Sequence, residues 1–291
     1  MPSASRTQIP PEVEAIDHAG RWRDIVERRR VQMEAANAES GISSADYWSK
    51  RAKTYRQALH DRTDEDPFFL RVREAITRDT TLIDVGAGTG RHTLALAPLV
   101  NRIVAVDPSP AMLALLRQDL AEQDIDNVDV IESEWMRADV EPGDVVICSH
   151  VLYPIADAVA FVRKLEASAR DRVFVYLRAD PLPTDMGLWS EFRGEQLQGQ
   201  PTHTDLFNVL AQFNIFADVE IVEHRFSWTF ASMDEAVAQV SHSLCLREDD
   251  APSHVRLRDL LESRLVTHAN GRIGSAIGSS RSAIISWRPF R

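Results

Sequence analysis

The sequence LIDVGAGTG, residues 82–90, decides the fold of this chain. A short apolar run passes through Asp84, turns through three glycines at alternate positions, and enters a Leu- and Ala-rich stretch over residues 91–97. This order predicts a buried strand, a tight loop and a helix. Glycines in such a loop let a ligand lie directly against the main chain. An ordinary strand-to-helix turn is the alternative interpretation.

The glycine spacing and the acid indicate which ligand the loop would take. A dinucleotide-binding loop has the pattern Gly-x-Gly-x-x-Gly, whose last glycine allows the helix to pack closely on the strand. Arg91 stands at that last position here. Asp84 would repel a diphosphate and attract an ammonium group. S-adenosylmethionine carries an ammonium group and no phosphate, so it fits the loop better than a dinucleotide does.

With this acid, small residue and glycines, the loop resembles the first motif of the class I S-adenosylmethionine-dependent methyltransferases. The resemblance implies that the loop binds the cofactor through Asp84, Gly86, Ala87, Gly88 and Gly90.

A second predicted strand, residues 101–107, ends in Asp107, and a helix follows from Ser109. A carboxylate at this position can accept hydrogen bonds from both hydroxyls of a ribose. The resemblance assigns that role to Asp107 and places Pro108 and Met112 beside the cofactor.

Strands and helices continue to alternate after Asp107. Strands are predicted at 128–131, 144–148, 172–177, 219–230 and 282–289, and helices at 109–122, 156–168, 204–213, 233–247 and 253–268. This alternation predicts an α/β fold with a doubly wound, mostly parallel sheet. The resemblance implies a Rossmann-like sheet of seven strands whose last strand, 282–289, is antiparallel.

The remaining segments predict a cap and two insertions. Residues 1–45 form a lead and a helical cap, in which Trp22 belongs to one or two helices over residues 12–38. Residues 46–291 form the core, with insertions at about 179–200 and 231–275. The stretch from Tyr47 through Trp48 to Tyr55 is similar to a segment that folds over the methionine end of the cofactor in many small-molecule methyltransferases. Packing of these aromatic side chains on the core is the alternative.

Two further loops follow the third and fourth strands. By alignment with the family, Glu134 accepts from the adenine amino group and Trp135 flanks the ring; the alternative is that Glu134 is only a solvated loop carboxylate. Ser149 resembles part of the family's fourth motif and lies below the sulfonium. His150 and Tyr153 are predicted to face the gap between methyl group and acceptor, as base and orienting hydroxyl. The alternative is that both side chains only shape the pocket.

The amino-acid composition limits the kinds of partner and the cellular compartment expected for this chain. The net charge of −11 disfavours a broad nucleic-acid surface, and no apolar run or secretory signal indicates a membrane or an exported protein. Two cysteines outside any Cys-x-x-Cys pair fit a reducing compartment, so a cytoplasmic protein is expected. The sequence does not decide between a monomer and a homodimer. No metal is expected, because the spacing of His242, Cys245 and Glu248 drifts around a helix.

Together these observations predict an enzyme that transfers a methyl group from S-adenosylmethionine to a small-molecule acceptor by in-line displacement. One alternative is a non-catalytic S-adenosylmethionine-binding or interaction protein whose insertions block the acceptor site. A nicotinamide-dependent dehydrogenase is a second alternative, which Asp84 and Arg91 disfavour. The sequence does not indicate which atom of the acceptor receives the methyl group.

Overall fold

The computed structural model describes residues 16–41, 66–180, 186–276 and 278–290. Its strands are β1 (Thr81–Val85), β2 (Arg102–Asp107), β3 (Val128–Glu132), β4 (Gly143–Ser149), β5 (Ala169–Arg178), β6 (Asp218–Phe226), β7 (Thr229–Phe230), β8 (Val266–Thr267), β9 (Ile273–Gly274) and β10 (Gly278–Trp287). Its α-helices are α1 (His18–Ser40), α2 (Pro67–Arg73), α3 (Arg91–Leu96), α4 (Pro110–Glu122), α5 (Ala158–Ala167), α6 (Trp189–Arg193), α7 (His203–Gln212), α8 (Met233–Ser243) and α9 (Ala251–Arg264).

Seven strands form one sheet in the order β3-β2-β1-β4-β5-β10-β6. The first five are parallel to their neighbours, whereas β10 runs antiparallel to both β5 and β6. The predicted α/β fold with a mostly parallel seven-stranded sheet is confirmed, and so is the antiparallel last strand. Between β1 and β4 the strand order in the sheet switches from decreasing to increasing. Doubly wound sheets bind ligands at such a switch point, at the carboxyl ends of the strands.

Helices cover both faces of this sheet, and alternate residues of each strand supply the two cores. Ile83 and Val85 face α1, α5 and α7, whereas Leu82 faces α2 and α3. Helix α4 packs on the same side as α2 and α3. Its start is specified locally, because Ser109 caps its first turn and Pro110 occupies its first position.

Helix α1 is a single helix, and it lies against two cores at once. It begins at a cap by Asp17 and ends at Gly41, whose φ of 70° is in the left-handed region. Trp22 is fully buried in the main core, and its indole Nε1 donates to the carbonyl of Ile155 at 2.7 Å. The other end of α1 contributes Ala36 to a separate cluster with α6, α8 and α9.

Three predicted elements are corrected by the structure. The predicted strand 219–230 is split, because β6 ends at Phe226 and β7 joins a different, three-stranded sheet in the order β7-β9-β8. The predicted helix 253–268 ends at Arg264, since Val266 and Thr267 form strand β8. Helix 233–247 likewise ends at Ser243. In each case a short strand or turn in the inserted region interrupts a periodic apolar pattern.

The division into a cap at 1–45 and a core at 46–291 stays a prediction. Tyr47, Trp48 and Tyr55, which carried the predicted cap contact with the cofactor, lie outside the described residues. The predicted insertion at 179–200 contains the short helix α6 in its described part.

Candidate active site

The glycine loop between β1 and α3 has the backbone geometry that only glycine adopts freely. Gly86, Gly88 and Gly90 have φ values of 74°, 57° and 91°, all in the left-handed region that costs other residues energy. A Cβ at Gly86 would lie 2.2 Å from Val151 Cγ2, and one at Gly90 would lie 2.4 Å from Leu116 Cδ1. A Cβ at Gly88 would meet no atom of the described residues within 4 Å. The loop therefore packs on the protein at its two ends and is open in the middle.

Asp84 lies beneath this loop and is almost completely buried. Its Oδ2 accepts a hydrogen bond of 2.6 Å from Thr93 Oγ1 on α3. Burial raises the pKa of Asp84, although nearby His92 and the Thr93 hydroxyl oppose the shift. No Lys or Arg forms an ion pair with it among the residues that the structure describes. A buried carboxylate of this kind favours a cation nearby.

Asp107 lies at the end of the neighbouring strand β2 and fixes the glycine loop. Its Oδ2 accepts from the backbone N–H of Gly88 at 2.9 Å, and its Oδ1 accepts from the N–H of Ser109 at 2.8 Å. Burial raises its pKa, and these two backbone donors oppose the shift. Each carboxylate oxygen has one protein donor and keeps a lone pair for a further one.

Other predicted cofactor residues surround these two acids. Ala87 and Met112 are buried, Ser149 is half-buried at the end of β4, and Pro108 is exposed after β2. Glu134 is exposed on the loop after β3, with its carboxylate 3.4 Å from Arg137 Nε. The predicted contact between Glu134 and the adenine amino group remains a prediction.

Trp135 lies in the main core and not on the loop surface. It is 5% exposed, and Lys164 Nζ lies 4.8 Å from the centroid of its ring. The same ammonium donates to the carbonyl oxygens of Trp135 and Ala138, both at 2.6 Å. The described contacts of the indole are those of a core residue, and its predicted role at the adenine remains a prediction.

His150 and Tyr153, the two residues predicted to face the acceptor, are hydrogen-bonded to each other. The two atoms His150 Nδ1 and Tyr153 Oη are 2.9 Å apart, and the hydroxyl also accepts from the backbone N–H of Arg178 at 2.8 Å. His150 has a φ of 58°, which is uncommon outside glycine. Its backbone N–H donates to the carbonyl of Tyr176 at 2.8 Å. Strained backbone of this kind clusters at functional sites.

The surroundings keep the His150 imidazole neutral. Its pKa is held well below the usual value of 6.5, first by burial and then by the positive charges of Arg178 and Arg91. The half-buried ring lies 4.9 Å from the ring of Tyr176, between centroids. A neutral imidazole can accept a proton at physiological pH.

The structure adds a buried ionic cluster that the sequence analysis did not recognise. Asp66 Oδ2 lies 2.8 Å from an Arg91 guanidinium nitrogen and 3.0 Å from His92 Nε2. Burial opposes ionisation of Asp66, but His92 and Arg91 together hold its pKa below the usual value. The ring of Phe68 packs edge-on against His92 and stacks on Tyr176. The available signal was the Asp66-Pro67 pair, which is a typical helix start.

These residues fit S-adenosylmethionine. The open space at Gly88 gives the cofactor access to the backbone, Asp107 offers two carboxylate oxygens, and Asp84 is a buried anion that lacks a cationic partner among the described residues. The bound cofactor would supply an activated methyl group on a sulfonium.

Comparison with known proteins gives the same answer. The family model described as a methyltransferase domain matches residues 82–171, which run from β1 into β5. Residues 82–171 are therefore a methyltransferase domain. This domain holds both acids, the glycine loop and the His150–Tyr153 pair.

The relatives of this domain differ in their names. A probable ribosomal RNA small subunit methyltransferase A from Methanosphaera stadtmanae is 26% identical over 35% of this chain and 36% of its own length. A carboxy-S-adenosyl-L-methionine synthase from Ectopseudomonas mendocina is 31% identical over 50% of this chain and 59% of its own. The chain thus spans between about a third and three fifths of these curated relatives.

The methyltransferase domain also has a structural neighbour. A solved structure from Bacillus halodurans, named as a candidate methyltransferase, has a TM-score of 0.51 and 14% identity. The likeness covers 77% of this chain and 97% of that one, and it supports the fold. No helix in the described part of this chain is long and apolar enough to cross a membrane.

Proposed function

We propose that this protein transfers the methyl group of S-adenosylmethionine to a small-molecule acceptor. The observation that supports this most strongly is the contact between the glycine loop and the loop that carries His150 and Tyr153. Val151, the residue after His150, lies so close to Gly86 that no Cβ fits between them. The candidate cofactor loop and the candidate acceptor residues are therefore neighbours at the carboxyl ends of β1 and β4.

The chain's own residues would hold and align the reactants. In the proposed arrangement Asp107 binds the ribose hydroxyls, and Asp84 attracts the ammonium group from below the glycine loop. Methyl transfer from a sulfonium needs alignment above all, and alignment can contribute about 7–11 kcal/mol in favourable cases. A base is needed only where the acceptor must lose a proton.

The hydrogen bond between His150 and Tyr153 determines which group can act as that base. When Nδ1–H donates to the Tyr153 hydroxyl, Nε2 keeps a free lone pair and can accept a proton from the acceptor. Tyr153 Oη then accepts from both Nδ1–H and the Arg178 N–H, which holds the pair in a fixed orientation. In the opposite tautomer Nε2 carries the proton and the pair only shapes the pocket.

Methylation of ribosomal RNA is the second candidate, favoured by the names of relatives such as the one from Methanosphaera stadtmanae. Those relatives match between 21% and 57% of this chain, and the net charge of −11 works against phosphate binding. The proposed cytoplasmic location and the absence of a nucleic-acid partner rest on composition alone.

Transfer of radiolabelled methyl from S-adenosylmethionine tests both candidates. The purified protein is incubated separately with a protein-free metabolite extract and with undermethylated small ribosomal subunits. We expect label in small molecules. Label in the RNA would contradict the small-molecule proposal and support methylation of ribosomal RNA. Binding of S-adenosylhomocysteine without transfer to either substrate would favour the non-catalytic alternative.

A further inference from the structure

We infer that the acceptor of this enzyme carries an anionic group, a carboxylate or a phosphate, and that Arg178 binds that group. This inference rests on the proposed methyl transfer and names the substrate class for the same site. Three points support it: the position of Arg178, the bonds that Asp180 and Asp66 already make to other residues, and the affinity of guanidinium groups for planar anions.

Arg178 lies at the carboxyl end of β5, one strand away from the His150 loop. Its backbone N–H donates to the hydroxyl of Tyr153, which in turn is bonded to His150. The side chain of Arg178 falls on the same sheet face as that of Tyr176, two residues earlier, because side chains alternate along a strand. The ring of His150 contacts Tyr176 on that face. Arg178 and the two candidate catalytic residues therefore border one space.

Two described carboxylates, Asp180 on the same segment and Asp66 facing His150, already have other partners. Asp180 binds the backbone N–H and the guanidinium of Arg281, at 2.9 Å and 3.0 Å. Asp66 is bonded to Arg91 and His92. No carboxylate forms an ion pair with Arg178 within the described ranges 16–41, 66–180, 186–276 and 278–290.

A half-buried guanidinium beside a reaction site lacks full hydration, and it gains most from a planar anion. Arginine matches carboxylate and phosphate groups with two parallel N–H donors, which lysine cannot do. The charges that face His150 from the surrounding elements also favour an anion. Among the residues that the structure describes, these are Arg178 from β5, Arg91 and His92 from α3, and the acid Asp66 before α2. A bound anion would neutralise part of this excess positive charge and hold the acceptor beside the His150–Tyr153 pair.

The test uses the full chain saturated with S-adenosylhomocysteine and two probe anions, inorganic phosphate and acetate. Each anion is titrated while NMR follows the Nε–H signals of the arginines and the ring signals of His150. We expect saturable shifts at Arg178 and a rise in the pKa of His150 when the anion binds. Saturation by phosphate alone identifies a phosphate-bearing acceptor, and saturation by acetate at least as tightly identifies a carboxylate.

Two variants make the assignment specific. Arg178→Gln removes the charge at the site and should weaken binding of the preferred anion by about tenfold or more, since hydrogen bonds to charged groups contribute about 1.5–3 kcal/mol each. Arg170→Gln removes the same charge from the opposite end of β5, where Arg170 lies 3.6 Å from Asp144, and should leave binding unchanged. Arg178→Lys should bind more weakly than wild type, because it loses the paired donors.

Different outcomes would contradict the anionic-acceptor inference and the proposed methyl transfer. Equal anion binding by wild type, Arg178→Gln and Arg170→Gln, or no binding by any of them, overturns the anionic-acceptor inference while S-adenosylhomocysteine still binds. Loss of S-adenosylhomocysteine binding in the wild type itself would instead count against the proposed function. With an acceptor in hand, Arg178→Gln should raise its KM by more than it lowers kcat.

Discussion

Replacing Gly88 by alanine separates the cofactor-binding role of the glycine loop from its structural role. Gly88 has a φ of 57°, and a Cβ added there would meet no atom within 4 Å in the part of the chain that the structure describes. The substitution therefore costs the folded protein only the left-handed backbone penalty of about 1–2 kcal/mol. If the cofactor lies in that open space, the added methyl group overpacks the complex by about 1–3 kcal/mol, which weakens binding about 5- to 150-fold.

A matched control is available at Gly194, the residue that ends α6. Its φ is 70°, and a Cβ there would also meet nothing within 4 Å. Gly194→Ala thus carries a similar backbone penalty far from the glycine loop. Calorimetric titration with S-adenosylhomocysteine gives the affinities, and thermal melting gives the stabilities.

We expect both variants to melt at similarly lowered temperatures, with the affinity reduced only in Gly88→Ala. Gly88→Val should abolish binding, because its larger side chain fills more of the same space. Equal affinities in Gly88→Ala and Gly194→Ala would refute the placement of the cofactor against Gly88.

Three other substitutions test the acids and the catalytic pair. Asp107→Ala should weaken S-adenosylhomocysteine binding at least about tenfold, because it removes hydrogen bonds to a charged acceptor; unchanged affinity in a folded variant would exclude the ribose contact. Asp84→Asn should raise the melting temperature of the cofactor-free protein while weakening cofactor binding. Its folded pKa is raised above 3.8, so the wild type loses stability as pH rises through that raised pKa, and the gain from Asn should grow from about pH 4 towards neutrality; a gain that is independent of pH would contradict the burial argument. If His150 is the base, His150→Ala should lower turnover about 10²–10⁴-fold at saturating substrate with cofactor affinity unchanged. Because its pKa is depressed, wild-type activity should be flat near pH 7 and fall only well below pH 6.5; a near-normal rate in His150→Ala would leave alignment as the whole mechanism.

The sequence was sufficient for the elements whose determinants are local. Alternating apolar runs, the cap at Ser109 and the glycines of residues 86–90 specified β1, β2, α3 and α4 without tertiary information. The sequence placed His150 and Tyr153 together after β4, and the hydrogen bond between them is an addition from the structure.

Contacts between distant segments could not be predicted in this way. The Asp66 cluster joins residues 25 and 26 positions apart, and no periodic pattern connects them. Trp135 is predicted to flank the adenine, and its burial against Lys164 on α5 depends on a contact 29 positions away that no local pattern indicates. Strands β7, β8 and β9 were not predicted as separate elements, because each contains two residues, which is too short for alternation to be visible.

The two-sided anchoring of α1 affects how this chain is made. Its polar contacts join residues very far apart in the sequence. Ala19 donates to Gln212, 193 positions later, and Cys245 donates to Asn37, 208 positions earlier. Helix α1 is synthesised well before these partners. At about 5–20 residues per second, some 200 residues take about 10–40 s to synthesise. The indole of Trp22 gains its partner earlier, because Ile155 follows it by 133 positions. The apolar side of α1 can therefore be covered by the main core before its two polar anchors form.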